Sequence, residues 1–283
     1  MPKKEELTAR EQVRLEMKKM NQGNKRGGFF SNKFVITFGV IFIIAAFVGS
    51  LLMFGEKQQE EAKKAMAPVV DLVPEKVDEN GAFRAVQTKN NELSKDAVRV
   101  DLFFDPQCPG CGAMDRAIGS DLRELSETGE IDLYLSPVAF LDNSGYNRYS
   151  TRATNAVVTV AEESPENLVK YINAIYSEEF QPAEGGADRR TDDDLINEAV
   201  EVGVPQDSAN KIKNHSYFKW IEETTELQTN RQDLFAGGFS TPSLFLNVEY
   251  SEDNKAINFK KLDFSNGSIQ DVFNKELKEA KKG

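Results

Sequence analysis

Cys108 and Cys111 are the only cysteines in the 283-residue chain, and they stand three apart within residues 98–112, VRVDLFFDPQCPGCG. That spacing has a chemical use. On the first turn of a helix, residues i and i+3 can close a small disulfide. The outer sulfur then lies beside backbone N–H groups that lack intrahelical partners, at the positive end of the helix dipole. Such surroundings favour the thiolate, which is the reactive form of cysteine. Three other arrangements compete: half of a zinc site, a static structural disulfide, or two unrelated thiols. A zinc site lacks its second cysteine pair, and the only histidine, His215, is remote in sequence. An i,i+3 bridge is strained and therefore reducible. With no other cysteines to form a disulfide framework, the spacing favours a redox-active pair.

The elements that must hold this pair are legible on either side of it. Val98, Val100, Leu102, Phe103 and Phe104 form a short apolar, β-rich run, which Asp105 and Pro106 end. Met114, Ile118, Leu122 and Leu125 then recur with helical spacing, and Thr128-Gly129 closes that helix. A second strand is expected over 131–141, with Ser136-Pro137 as a bend, and residues 83–88 suit a first edge strand. A long helical block follows. It comprises a helix over 149–161, a second carrying Leu168, Tyr171, Ile172 and Ile175 behind a Ser164-Pro165 cap, and a Gly-rich charged loop over 181–190. A third helix is opened by Thr191 with Asp194 and closed by Gly203, a short one lies near 206–213 and a longer one runs through 217–233. Strand character returns over 243–248 and 256–262 across the polar turn 251–255, and Ser268 starts a last helix.

The N-terminal third reads differently. Residues 1–33 carry nine Lys/Arg and four Glu, a net of +5 in a chain whose total is −11, which leaves −16 for the other 250 residues. An acidic main domain argues against nucleic acid as a partner. Residues 34–54, FVITFGVIFIIAAFVGSLLMF, contain no charge and are long enough to span a bilayer core of roughly 30 Å. The basic region before them is too long, and the apolar run exceeds the h-region, for a cleaved signal peptide. The expected organisation is therefore a cytoplasmic basic tail (1–33), a transmembrane signal anchor in the lipid bilayer (34–54), a stalk or linker (55–81) and a folded domain (82–283) with its helical insert at about 145–235. The Lys/Arg excess before the span places the tail in the cytoplasm and the cysteines outside, where disulfides persist.

Thr241-Pro242 precedes the late strand, where a proline can stand only at a strand start. Cys108-Pro109-Gly110-Cys111 after an FFD strand, with Thr241-Pro242 before a late strand, resembles the thioredoxin superfamily. The helical insert between the two motifs resembles that of DsbA-type thiol–disulfide oxidoreductases. The resemblance covers 82 to about 280. It implies an α/β thioredoxin fold with an inserted helical subdomain, here preceded by a single transmembrane helix. By the same resemblance, Cys108 matches the exposed nucleophile, Cys111 the buried resolving thiol and Pro242 a cis-proline facing them, and Thr241 matches a position that contacts substrate and tunes the pair. The sequence departs from the family at Gly110, where DsbA-type sites carry histidine, and Asp105 and Asp115 are expected to bring negative charge nearby.

The implied reaction is the introduction of disulfides into exported proteins with free thiols, with a membrane redox partner to reoxidise the pair and no metal or organic cofactor. Two readings stand beside it. One is a reductase or isomerase using the same pair, and the other is a membrane-tethered binding or chaperone module whose disulfide is structural. Elsewhere, Asp105 reads as a strand-end turn residue, His215 as a solvated helix-boundary residue, and Trp220 with Phe218 and Ile221 as packing for the helical layer.

Overall fold

The structure is a computed structural model, and it describes residues 71–283 apart from 87, 90–91, 145–146, 185–189 and 283. The basic tail, the apolar segment 34–54 and the stalk to residue 70 lie outside the described residues. Among those described, no helix is long and apolar enough to cross a membrane.

A five-stranded sheet in the order β1-β3-β2-β4-β5 carries the domain. Its centre is β2, Val98–Phe104, which runs parallel to β3, Ile131–Pro137, and antiparallel to β4, Ser243–Tyr250. β1, Phe83–Arg84, and β5, Ala256–Lys261, form the two edges. Both faces of β2 are covered, which is why its sequence is a nearly continuous apolar run rather than an alternation. Val98, Val100, Leu102 and Phe104 join the main core with Met114, Ile118 and Leu122 of α1, Pro109–Glu127, and with Phe273 and Leu277 of α7, Ile269–Ala280. Phe103 points the other way, edge-on to Phe235 and Phe245 at 5.2 and 5.7 Å. Each of these buried side chains contributes roughly 1.5–3 kcal/mol relative to an exposed one.

Between β3 and β4 the chain leaves the sheet and builds the helical insert: α2, Tyr149–Glu163; α3, Leu168–Ile175; α4, Asp192–Glu201; the short α5, Gln206–Ala209; and α6, Phe218–Thr229. α2 is buried from Tyr149 to Ala161, so it forms the insert's axis. Tyr171, Ile172 and Ile175 of α3 belong to the same core as the sheet. Trp220, Phe218 and Ile221 are buried as expected, with Trp220 edge-on to Phe83 of β1 at 5.9 Å.

Several boundaries differ from the sequence reading. β3 stops at Pro137 instead of reaching residue 141, because its partner β2 ends at Phe104, whose carbonyl takes the last bond from the Val138 N–H at 2.9 Å. Of the expected edge strand, Phe83 and Arg84 pair with β3 in register, and the Ala85 N–H donates to the Leu133 carbonyl at 2.8 Å. Ser164 does not cap the following helix through its side chain. Its hydroxyl donates to Glu166, and a 3-10 turn, Pro165–Asn167, intervenes. The Thr191–Asp194 capping box is present, as is the Ser268 cap of α7. His215 is not solvated. It is 8 % exposed, stacks on Phe218 at 4.5 Å and shares a 2.7 Å hydrogen bond with Asp192, which Arg152 also engages at 3.0 Å.

Candidate active site

β2 ends at Phe104, and Asp105 begins the turn that delivers Cys108 to the head of α1. The Cys108 N–H donates to the Asp105 carbonyl at 2.9 Å. Cys108 is the N-cap residue of α1 with extended backbone (φ −70°, ψ 119°), and Pro109 occupies the first helical turn, where its missing N–H leaves no donor orphaned. Cys111 lies within that turn and is 2 % exposed, against 7 % for Cys108.

The other motif arrives at the same point. The Thr241–Pro242 peptide bond is cis, and the Cys108 thiol donates to the Thr241 carbonyl across 3.4 Å. Gly110 marks how close the two turns lie. A Cβ there would meet Pro242 Cδ at 3.1 Å, Cys108 Sγ at 3.7 Å and the Thr241 carbonyl oxygen at 3.9 Å. Cys108, Pro109, Gly110, Cys111, Thr241 and Pro242 are thus brought into one cluster, although Cys108 and Thr241 are 133 positions apart.

The two sulfurs are electrostatically unequal. The Cys108 thiol falls from an ordinary 9.0 to about 6, chiefly because Cys111 offers its S–H to the Cys108 sulfur. Burial opposes the drop, while Thr241 and the N–H groups of Cys111 and Gly110 assist it. The Cys111 thiol is pushed well above the ordinary value, first by burial and then by the neighbouring Cys108. Near neutral pH the outer sulfur is mostly thiolate and the inner one holds its proton. Thr241 Oγ1 is buried with no hydrogen-bond partner among the described residues, so its O–H is available to a thiolate.

A polar layer that sequence reasoning missed lies beneath the pair. Asp105 is fully buried and accepts from Ser150 Oγ of α2 at 2.6 Å, the Gln107 N–H at 2.9 Å and the Leu141 N–H at 3.1 Å. Tyr176 donates its hydroxyl to the Asp105 carbonyl at 2.8 Å. Burial raises the Asp105 carboxyl to about 7 in spite of those donors. Burial likewise raises Asp115, bonded by Asn173 at 2.7 Å, to about 6. The expected negative charge beside the pair is therefore smaller than the sequence suggested, since burial raises both carboxyls well above the ordinary carboxylate range. Gln181, from the segment after α3, donates its amide to the carbonyls of Pro106 and Cys108 at 3.3 and 2.9 Å. A glycine at position 112, inside the first turns of α1, was the one sequence signal for such a close approach. Among the described residues no cluster of His, Cys, Asp and Glu could hold a metal ion.

A strand, a CPGC turn and a helix facing a Thr-Pro turn, on a mixed sheet with a helical insert, define a dithiol protein of the thioredoxin class. Residues 94–282 match the family model described as thioredoxin, and the chain belongs to that family. Among solved structures it is similar to the reduced form of the disulfide bond oxidoreductase DsbG from Mycobacterium tuberculosis, at 24 % identity and TM-score 0.53 over 72 % of this chain and 89 % of that one. It is also similar to DsbA from the same organism, at 24 % identity and TM-score 0.51 over 71 % and 92 %. These likenesses establish a shared DsbA-like fold. Among curated proteins, the serine/threonine-protein kinase PknE of Mycobacterium tuberculosis is 32 % identical over 117 residues. That match spans 41 % of this chain and only 21 % of the kinase.

Proposed function

We propose that this chain is a membrane-anchored, extracytoplasmic thiol–disulfide oxidoreductase that introduces disulfides into exported proteins through Cys108 and Cys111. The observation that carries the reading is the inequality of the two sulfurs: a thiol lowered to about 6 at the helix start and a buried one raised well above 9.0. In the oxidised protein, a substrate thiolate attacks Cys108 Sγ. The Cys108–Cys111 bond breaks, and Cys111 leaves and takes up a proton, as its raised affinity for one favours. A second substrate thiolate then attacks the substrate sulfur of the mixed disulfide and expels Cys108 as a thiolate. Two electrons pass from substrate to protein, and a membrane redox partner removes them. The low thiol pKa makes Cys108 a good leaving group in the second step and stabilises the reduced state, which is what makes a disulfide oxidising.

The remaining roles follow from position. Pro109 and Gly110 shape the turn and keep its outer side open. Thr241 and Pro242 flank Cys108 where the substrate chain must approach, and the Thr241 hydroxyl stabilises the departing thiolate. Anchoring rests on the uncharged segment 34–54 and the basic residues before it. Protease added to intact spheroplasts should remove the domain and spare the tail, whereas a mature protein beginning near residue 68 would refute the anchor. Direction is tested by equilibrating the purified protein with glutathione at pH 7. The expected potential lies between about −120 mV and about −270 mV, with oxidation of a reduced dithiol peptide. A potential at the lower limit without peptide oxidation would favour the reductase reading. A Cys108→Ser variant that still assisted refolding of a reduced secreted substrate would favour the binding module.

A further inference from the structure

Besides Ser150 and Tyr176, which hold Asp105, the helical insert reaches the redox turn through Gln181. Its amide nitrogen donates to the Cys108 carbonyl at 2.9 Å and the Pro106 carbonyl at 3.3 Å, on both sides of the bend that carries the nucleophile. The Cys108 carbonyl also accepts the first helical bond of α1, from the Gly112 N–H at 3.1 Å, so Gln181 supplies this oxygen's second donor. The other end of the amide is held too. Arg116 of α1 donates Nη1 to Gln181 Oε1 at 3.3 Å and to the Tyr176 carbonyl at 2.8 Å. All of this occupies the space over Gly112. A Cβ at position 112 would overlap Gln181 Oε1 and lie 2.7 Å from its Cδ and 2.8 Å from Arg116 Nη1. The obstructing atoms are all side-chain ends, so the glycine is needed for the amide and not for the path of the backbone.

We propose that Gln181 is a positioning residue for the Cys108 thiolate, and that Gly112 is the gap that admits it. The amide pins the N-cap residue against the head of α1, so that Cys108 Sγ stays within reach of the N–H groups of Gly110 and Cys111. It also satisfies two carbonyl oxygens whose negative ends face the same turn. Without it the turn loosens, the thiolate loses part of its donor field and the thiol becomes harder to ionise. The inference rests on Cys108 as the reactive sulfur of the proposed oxidoreductase.

The test measures alkylation of Cys108 against pH, and the glutathione equilibrium, in the full-length protein for Gln181→Ala, Gln181→Met, Gly112→Ala and the double variant Gly112→Ala/Gln181→Ala. Methionine keeps the length of the side chain without the N–H. Each single variant should raise the Cys108 pKa and shift the glutathione equilibrium about three- to tenfold toward a less oxidising pair, the size of one net hydrogen bond. Gly112→Ala should do so while its thermal midpoint holds or rises, since alanine is the better helix former. The double variant should match Gln181→Ala, because the alanine at 112 acts only by displacing the amide. Wild-type titration in Gln181→Met or Gly112→Ala, or additive shifts in the double variant, would overturn the proposal. If the wild type failed to oxidise a dithiol peptide, the oxidase reading would fall while the titration still judged Gln181.

Discussion

At the scale of single residues, the chemistry of this site is a matter of where protons reside. Cys108 binds its proton less tightly in the folded, reduced protein than in an unfolded chain, about 6 against 9.0. Between those values the folded state holds fewer protons than the unfolded one, so the stability due to this group rises with pH from about 6 to about 9. A shift of that size corresponds to at most about 4 kcal/mol. The reduced wild type should therefore gain stability over Cys108→Ser across that window, as read by urea titration at several pH values. A flat difference would mean the thiolate is not specially stabilised. Asp105 has the opposite sign. Its folded carboxyl is raised to about 7 from 3.8, so its contribution is greatest at low pH and is lost as pH rises from about 4 to about 7. Asp105→Asn removes this titration. The wild type should lose stability relative to the variant through that window, and a parallel pH course in the two proteins would contradict the assignment.

The secondary-structure elements separate into those that carry the site and those that only support it. β2 and α1 carry it directly, and α2 supports it from beneath through Ser150. α4 supports the insert alone. Its capping box pairs the Thr191 hydroxyl and the Asp194 carboxylate with each other's backbone N–H, at 3.2 and 2.6 Å. Thr191→Ala should cost about 1 kcal/mol by the usual value of such a cap, measured by chemical denaturation, and should leave the alkylation profile of Cys108 in place. A changed profile would mean that the insert's far helix is coupled to the redox turn. The boundaries most poorly legible in the sequence belong to such supporting elements. Ser164 resembles a cap in type, yet its hydroxyl is taken by Glu166 two residues on, a local competition that residue identity does not decide.

At the scale of the whole molecule, one hydrophobic cluster runs from β1 and β2 through α1 and α7 into α2, α3, α4 and α6. Sheet and insert share this core, so neither can be exposed without uncovering the other, and a single cooperative transition is expected. The chain offers two well-placed reporters. Trp220 is the only tryptophan and belongs to the insert, whereas Cys111 is buried at the sheet. Unfolding followed by Trp220 fluorescence and by alkylation of Cys111 should give coincident midpoints in guanidinium. Earlier loss of the tryptophan signal would show that the insert unfolds on its own.

The sequence by itself determined which residues could do chemistry and which elements had to hold them. Two cysteines three apart, a β-rich apolar run before them and helical spacing after them are local patterns, set by the short-range geometry of strand, turn and helix. The last hairpin and the final helix are legible for the same reason. The tertiary structure decided what lies around the sulfurs. Thr241 meets Cys108 across 133 positions, Gln181 clasps its carbonyl across 73, and Ser150 reaches Asp105 across 45. His215 and Asp105, which looked like a solvated residue and a plain turn residue, are buried because distant segments close over them. Burial raises the proton affinities of Cys111 and Asp105 and is not encoded in the spacing of neighbours along the chain, whereas the lowered affinity of Cys108 owes most to Cys111 three residues on, which that spacing does encode.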